Sequence, residues 1–337
     1  MSSLLRSLPL LALLLLALSC VDAGGDSGRD TAHAAIVDNE PAAAGGTPMN
    51  VVCTTAMIAE MASAIGGEHV NVQLIIPAGS DSHAFVASAA DRQAMAAATL
   101  VFANGLGLEA GLAPELEQAR QSGRLVELTR DIDNDRLLTS SAYGGQPDPH
   151  VWLNVELWRK AADTLRNALL EQEPALDGYF ATRYADYYMD LMQLDTRLLD
   201  LGSSLTDSQR VLVTNLHGSN YLASTQRFEL MALTTGDIAE LDKPQKLEGL
   251  ADYLVERKVP SVFLDGNVPA ERIAALQDAC RKRGLKLANT TGLNLDGPPD
   301  AQTTFHESLL TDMRSIVTAL GADLTLLDKV WQEEDAQ

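Results

Sequence analysis

From Pro174 to Ser204 the chain reads PALDGYFATRYADYYMDLMQLDTRLLDLGSS, and no glycine or proline interrupts it between Tyr179 and Leu201. Tyr187, Leu191, Leu194, Leu198 and Leu201 step by four and three, which lines them up as one apolar stripe of a helix. At about 1.5 Å per residue that helix spans roughly 35 Å, long enough to brace a lobe on either side. The fold therefore depends on what flanks it.

Both flanks alternate between strand and helix signals. On the N-terminal side, MNVVCTT, VNVQLIIP, TLVFANG and RLVEL read as strands. They are separated by helices through AMIAEMASAI, stopped by Gly66 and Gly67, then DRQAMAAA and GLAPELEQARQS. A helix from Val155 to Glu171, with Leu157, Ala161, Leu165 and Leu169 on one face, completes that half. On the C-terminal side RVLVTN, FELMALTT, PSVFLD and LKLAN are strands. Helices run through GSNYLAST, QKLEGLADYLVERK, PAERIAALQDACRKRG and TTFHESLLTDMRSIVTAL. Strands alternating with helices imply parallel sheets covered on both faces. The predicted fold is α/β, with two such lobes joined by one long backbone helix.

The N-terminus belongs to neither lobe. Arg6 precedes the apolar run LPLLALLLLALSC, which is too short to span a membrane and suits a signal peptide. ALSC, ending at Cys20, resembles a bacterial lipoprotein box, whereas VDA before Gly24 suits an ordinary signal peptidase; the place of Cys20 at the end of the run favours lipidation. The small and polar residues that follow would make a flexible tether. The resulting division is signal peptide 1–20, tether 21–48, first lobe 49–173, linking helix 174–203, second lobe 204–322 and acidic tail 323–337, in a protein that leaves the cytoplasm. With 46 acidic residues against 25 basic ones, a net charge of −21, nucleic acid is excluded as a partner. Besides Cys20 only Cys53 and Cys280 remain, read as two isolated buried thiols.

Six histidines offer the only candidate chemistry, and a loop histidine by itself is as a rule merely solvated. Four residues stand out jointly, because ligands of open parallel sheets bind beyond the carboxyl ends of the strands. His83 follows the second strand, His150 precedes the last helix of the first lobe in QPDPHVWLN, His217 follows RVLVTN, and Asp296 follows the final strand. His33 and His69 read as solvated and His306 as a surface or packing residue. Asp81 and Asp148 read as turn formers in preference to partners of the neighbouring imidazoles. The chain contains no HExxH, no G-x-S-x-G elbow and no phosphate-cradling glycine loop.

Four stretches carry a family resemblance: PAGSDSHAF, LVFANGLGLEAGL, PDPHVWLN and KVPSVFLDGNV. From about Val51 to Leu320 the chain resembles the zinc/manganese solute-binding proteins of metal ABC importers. The resemblance implies that His83 and His150 are the first two metal ligands and that Asp296 is the aspartate of the closing loop. His217 stands one residue after the position of the family's third ligand, which Leu216 fills, and a bulge at the strand end would aim it into the cleft. The implied function is capture of one divalent ion per chain as transported ligand, outside the cytoplasm, and its delivery to an ABC permease. A monomer is expected, held at the membrane by lipid if Cys20 is modified. Three imidazoles and a carboxylate favour Zn2+ over Mn2+. A manganese receptor of the same type is the alternative, and from another class a zinc-dependent hydrolase; the expectation is that the protein is not an enzyme.

Overall fold

The computed structural model describes residues 47–139, 143–215, 218–233, 241–264, 269–290 and 292–334. Cys20, His33, His217 and the expected signal peptide lie outside the described residues, as does the tether up to residue 46. The first lobe comprises β1 (Met49–Cys53), α1 (Ala56–Gly66), β2 (Val70–Leu74), α2 (Ala89–Ala97), β3 (Leu100–Ala103), α3 (Ala113–Gln121), β4 (Leu125–Glu127) and α4 (Val155–Gln172). A single helix, α5 (Asp177–Ser203), follows. The second lobe comprises β5 (Val211–Thr214), α6 (Ser219–Gln226), β6 (Glu229–Ala232), α7 (Pro244–Glu256), β7 (Ser261–Phe263), α8 (Ala270–Lys282), β8 (Ala288–Thr290), α9 (Phe305–Ala319) and α10 (Thr325–Glu334).

Each lobe holds a parallel four-stranded sheet, ordered β2-β1-β3-β4 and β6-β5-β7-β8. In both, the chain reverses direction across the sheet after its first two strands. That leaves a crevice beyond the carboxyl ends of β1 and β3, and of β5 and β7. Side-chain alternation along the strands decides which core each face joins. Val51 and Cys53 of β1, Leu100 and Phe102 of β3, Leu212 of β5 and Phe263 of β7 enter one core that runs through both lobes. Val52 and Val101 point the other way, into a core under α2 and α3. Val211, Val213 and Val262 do the same beneath α7 and α8.

The shared core is built around α5. Tyr187, Leu191, Leu194, Leu198 and Leu201 are all buried in it, and α5 packs on α1 and α4 from one lobe and α9 from the other. At roughly 1.5–3 kcal/mol for each buried leucine, this stripe ties the lobes to one scaffold. On α4 the buried face is Leu157, Ala161, Leu165 and Leu169, and the Asn154 side chain caps the helix by accepting from the Glu156 and Leu157 amides. Cys53 and Cys280 are free and buried. Among the described residues no helix is long and apolar enough to cross a membrane.

Two sequence expectations are corrected, and the tail gains a helix. The acidic tail carries α10, whose Trp331 is buried in the shared core with Arg197 and Arg314 over its ring. The strand expected at LKLAN lies later, at Ala288–Thr290, where it pairs with β7. His69 is not solvated: its ring packs edge-on against Tyr179 of α5, 4.6 Å between centroids.

Candidate metal centre

His83 sits in the turn after β2. The Asp81 carboxylate accepts from the His83 amide at 2.8 Å, so Asp81 is a turn former, as expected. The imidazole stacks on Tyr143, 5.9 Å between centroids with planes 19° apart. Gly111 backs the chain just beyond, where a Cβ would lie 2.1 Å from the Phe85 carbonyl.

His150 is fully buried, and its surroundings explain the prolines and tryptophan around it. On one side the Asn104 side-chain amide donates to the Pro149 carbonyl at 3.0 Å. Asn104 is itself anchored through Glu109, a buried carboxylate that accepts from the Asn104 and Gly105 amides and from the Thr54 hydroxyl. Burial pushes the Glu109 carboxyl above its usual range despite those bonds. Positive φ at Gly105, Leu106 and Gly107 turns the chain back so that Glu109 reaches the end of β3. On the other side the Trp152 indole donates to the Leu295 carbonyl at 2.8 Å, fixing the residue just before Asp296 in the opposite lobe.

Asp148 is not the simple turn former expected from sequence. It is fully buried, and its Oδ1 accepts from His150 Nδ1 at 2.6 Å and from the His150 amide at 3.1 Å. Burial pushes its carboxyl up, but the bonds and charge of His150 and the Asn220 amide outweigh that and hold it below its usual value. Burial likewise disfavours the His150 imidazolium, yet Asp148 and Asp296 hold its pKa above the ordinary histidine value. With Nδ1 bonded to Asp148, Nε2 is the atom left to face the cleft.

Asp296 lies in the turn after β8, its side chain 51% exposed. The turn is gripped from three sides. The Gly79 amide of the first lobe donates to the Pro298 carbonyl at 3.0 Å, the Asn294 amide donates to Asp312 at 2.7 Å, and Trp152 holds Leu295. Gly79 must lack a Cβ, which would lie 2.4 Å from the Pro299 carbonyl.

These turns bring His83, His150 and Asp296 together, with donor atoms all within 4.8 Å of one another. His150 Nε2 is 3.3 Å from His83 Nε2 and 3.3 Å from Asp296 Oδ1. Ligands about 2.1 Å from a tetrahedral ion lie about 3.4 Å apart, so the arrangement can hold a small divalent cation. His306 is elsewhere, against Glu60 and Tyr187. Sequence reasoning missed Tyr143, Asn104 and Asn220, which support the histidines from distant parts of the chain.

A family model described as zinc-uptake complex component A, periplasmic, matches residues 51–319. The chain belongs to that family. It is 30% identical to the zinc-binding protein TroA of Treponema pallidum over 84% of this chain and 92% of that protein. It is 27% identical to the manganese-binding lipoprotein MntA of Bacillus subtilis over 70% of this chain and 77% of that one. The solved structure of the periplasmic zinc-binding protein TroA superposes with a TM-score of 0.71 at 28% identity, covering 82% of this chain and 99% of that one. A crystal structure titled ZnuA shares the fold, with a TM-score of 0.66 at 20% identity over 81% of this chain and all of that one. The two-lobed fold with its long helix is thus that of the metal-receptor class, and the motif around Asn104 and Glu109 is an internal brace for the turn carrying His150.

Proposed function

We propose that the protein captures one divalent transition-metal ion per chain between its lobes, outside the cytoplasm, and delivers it to an ABC permease in the cytoplasmic membrane. The observation that carries this reading is the convergence of His83, His150 and Asp296 from turns of both lobes. We assign His217 as the fourth ligand. It directly precedes Gly218 in the chain, and a Cβ on Gly218 would lie 2.7 Å from the His150 ring, so Gly218 itself lies against the site. Imidazole-rich coordination favours zinc. Manganese is the second reading, supported by the manganese-binding relative. The ion is cargo, and we ascribe no turnover to the site. The proposed boundaries are a signal peptide 1–20, a tether 21–48, lobes 49–173 and 204–322 about the helix 174–203, and lipid attachment of a monomer through Cys20.

Competitive titration of Zn2+ and Mn2+ against a chromophoric chelator tests this. One tight equivalent is expected, tighter for Zn2+. Alanine at His83, His150, His217 or Asp296 should weaken binding by orders of magnitude, while His306→Ala binds normally. Two tight equivalents that both survive His150→Ala would sink the reading.

A further inference from the structure

We propose that Asn220, from the second lobe, is a positioning residue that sets the aim of the first-lobe imidazole of His150; this rests on His150 being a metal ligand. Asn220 is the second residue of α6, and its side-chain amide donates to Asp148 Oδ2 at 2.8 Å. The other carboxylate oxygen of Asp148 holds His150 Nδ1 and the His150 amide. The next α6 residue, Tyr221, donates its hydroxyl to the Asp148 carbonyl at 3.2 Å and accepts from the Leu138 amide at 3.1 Å. Two consecutive residues of one lobe therefore grip both the side chain and the backbone of Asp148 in the other. Gly218, ahead of them with φ +74°, closes the third side against the His150 ring.

A carboxylate held by histidine alone can turn about its side-chain torsions and carry the ring with it. The Asn220 bond to the second oxygen fixes the carboxylate plane. Oδ1 then stays on Nδ1–H, and the Nε2 lone pair stays on the point shared with His83 and Asp296. Residues that orient a ligand in this way matter by about 10–100-fold in metal affinity. Asn220 stands one bond further out than Asp148, and the expected effect lies at the lower end.

The experiment measures Zn2+ affinity of the full chain by chelator competition, with the visible absorption of bound Co2+ as a report of ligand geometry. Asn220→Leu keeps the branched shape and donates nothing. It should weaken Zn2+ binding about 10-fold and change the Co2+ spectrum. In an Asp148→Ala background the same substitution should change neither, because the carboxylate it acts through is gone. Should Asp148→Ala not fold, Asp148→Leu serves, since its branched side chain accepts nothing from Asn220 or from His150. Wild-type affinity in Asn220→Leu, or an equal loss with and without the Asp148 carboxylate, overturns the proposal while leaving the site itself intact. Wild-type affinity in His150→Ala removes the underlying site and the proposal with it.

Discussion

Burial alone would keep His150 neutral, and two carboxylates pull in the other direction. The balance favours the proton, so the metal-free imidazole holds it above the ordinary histidine pKa. On the proposed reading, proton and metal compete for the same Nε2 lone pair, and a raised proton affinity moves that competition to higher pH. Zinc affinity should therefore begin to fall while the pH is still above about 6.5, the unperturbed histidine value. Titrations between about pH 8 and pH 5 check this. A flat profile would mean that oxygen donors carry the ion. At this scale the sequence singled out His83, His150, His217 and Asp296, because each follows a strand end or a proline-restricted turn. The fold brings His83, His150 and Asp296 together, and His217 lies outside the described residues. The sequence did not reveal the support for His150: Asn220 is 72 residues from Asp148, and Asn104 is 45 from Pro149. Only the folded sheets bring such pairs together.

Among the elements, α9 carries a buried acid with a cost. Asp312 lies on its inner face between Leu309 and Met313 and, among the described residues, accepts one amide, that of Asn294 in the turn leading to Asp296. Burial raises its pKa from 3.8 to about 7. The folded state thus binds this proton more tightly than the unfolded one, and stability falls as pH rises from about 4 to about 7. Asp312→Asn keeps an acceptor for the Asn294 amide and removes the titration. It should stabilise the protein above pH 7 by a few kcal/mol at most and flatten the pH dependence below. Chemical denaturation at about pH 4.5 and pH 8 reads both effects, and an Asp312→Asn protein less stable at the higher pH contradicts them. Most elements were legible from periodicity, since α4 and α5 carry unbroken apolar stripes. Helix α10 was not, because it is short and acidic. Its docking depends on one tryptophan, on cations from α5 and α9, and on the Arg314–Asp328 ion pair at 2.6 Å.

Across the whole molecule, scaffold and site can be separated. The lobes already meet through the α5 core and through bonds such as Gly79 to Pro298, Trp152 to Leu295, and the Phe305 amide to Glu60. A bound ion would add ligands from both lobes to that set, stabilising only through its preference for the folded state. At a free concentration 1,000 times Kd this amounts to about 4 kcal/mol. His83→Ala changes a partly exposed turn residue, so its melting without zinc should match the wild type while the rise on adding zinc is lost. Leu194→Ala should do the reverse. It opens a cavity in the α5 stripe, costs about 2–5 kcal/mol with or without zinc, and leaves the increment from zinc intact. The pair distinguishes a rigid brace from a working part. If Leu194→Ala folded but lost the zinc increment, α5 would be bending as the ion binds, and its role as a fixed scaffold would have to be abandoned.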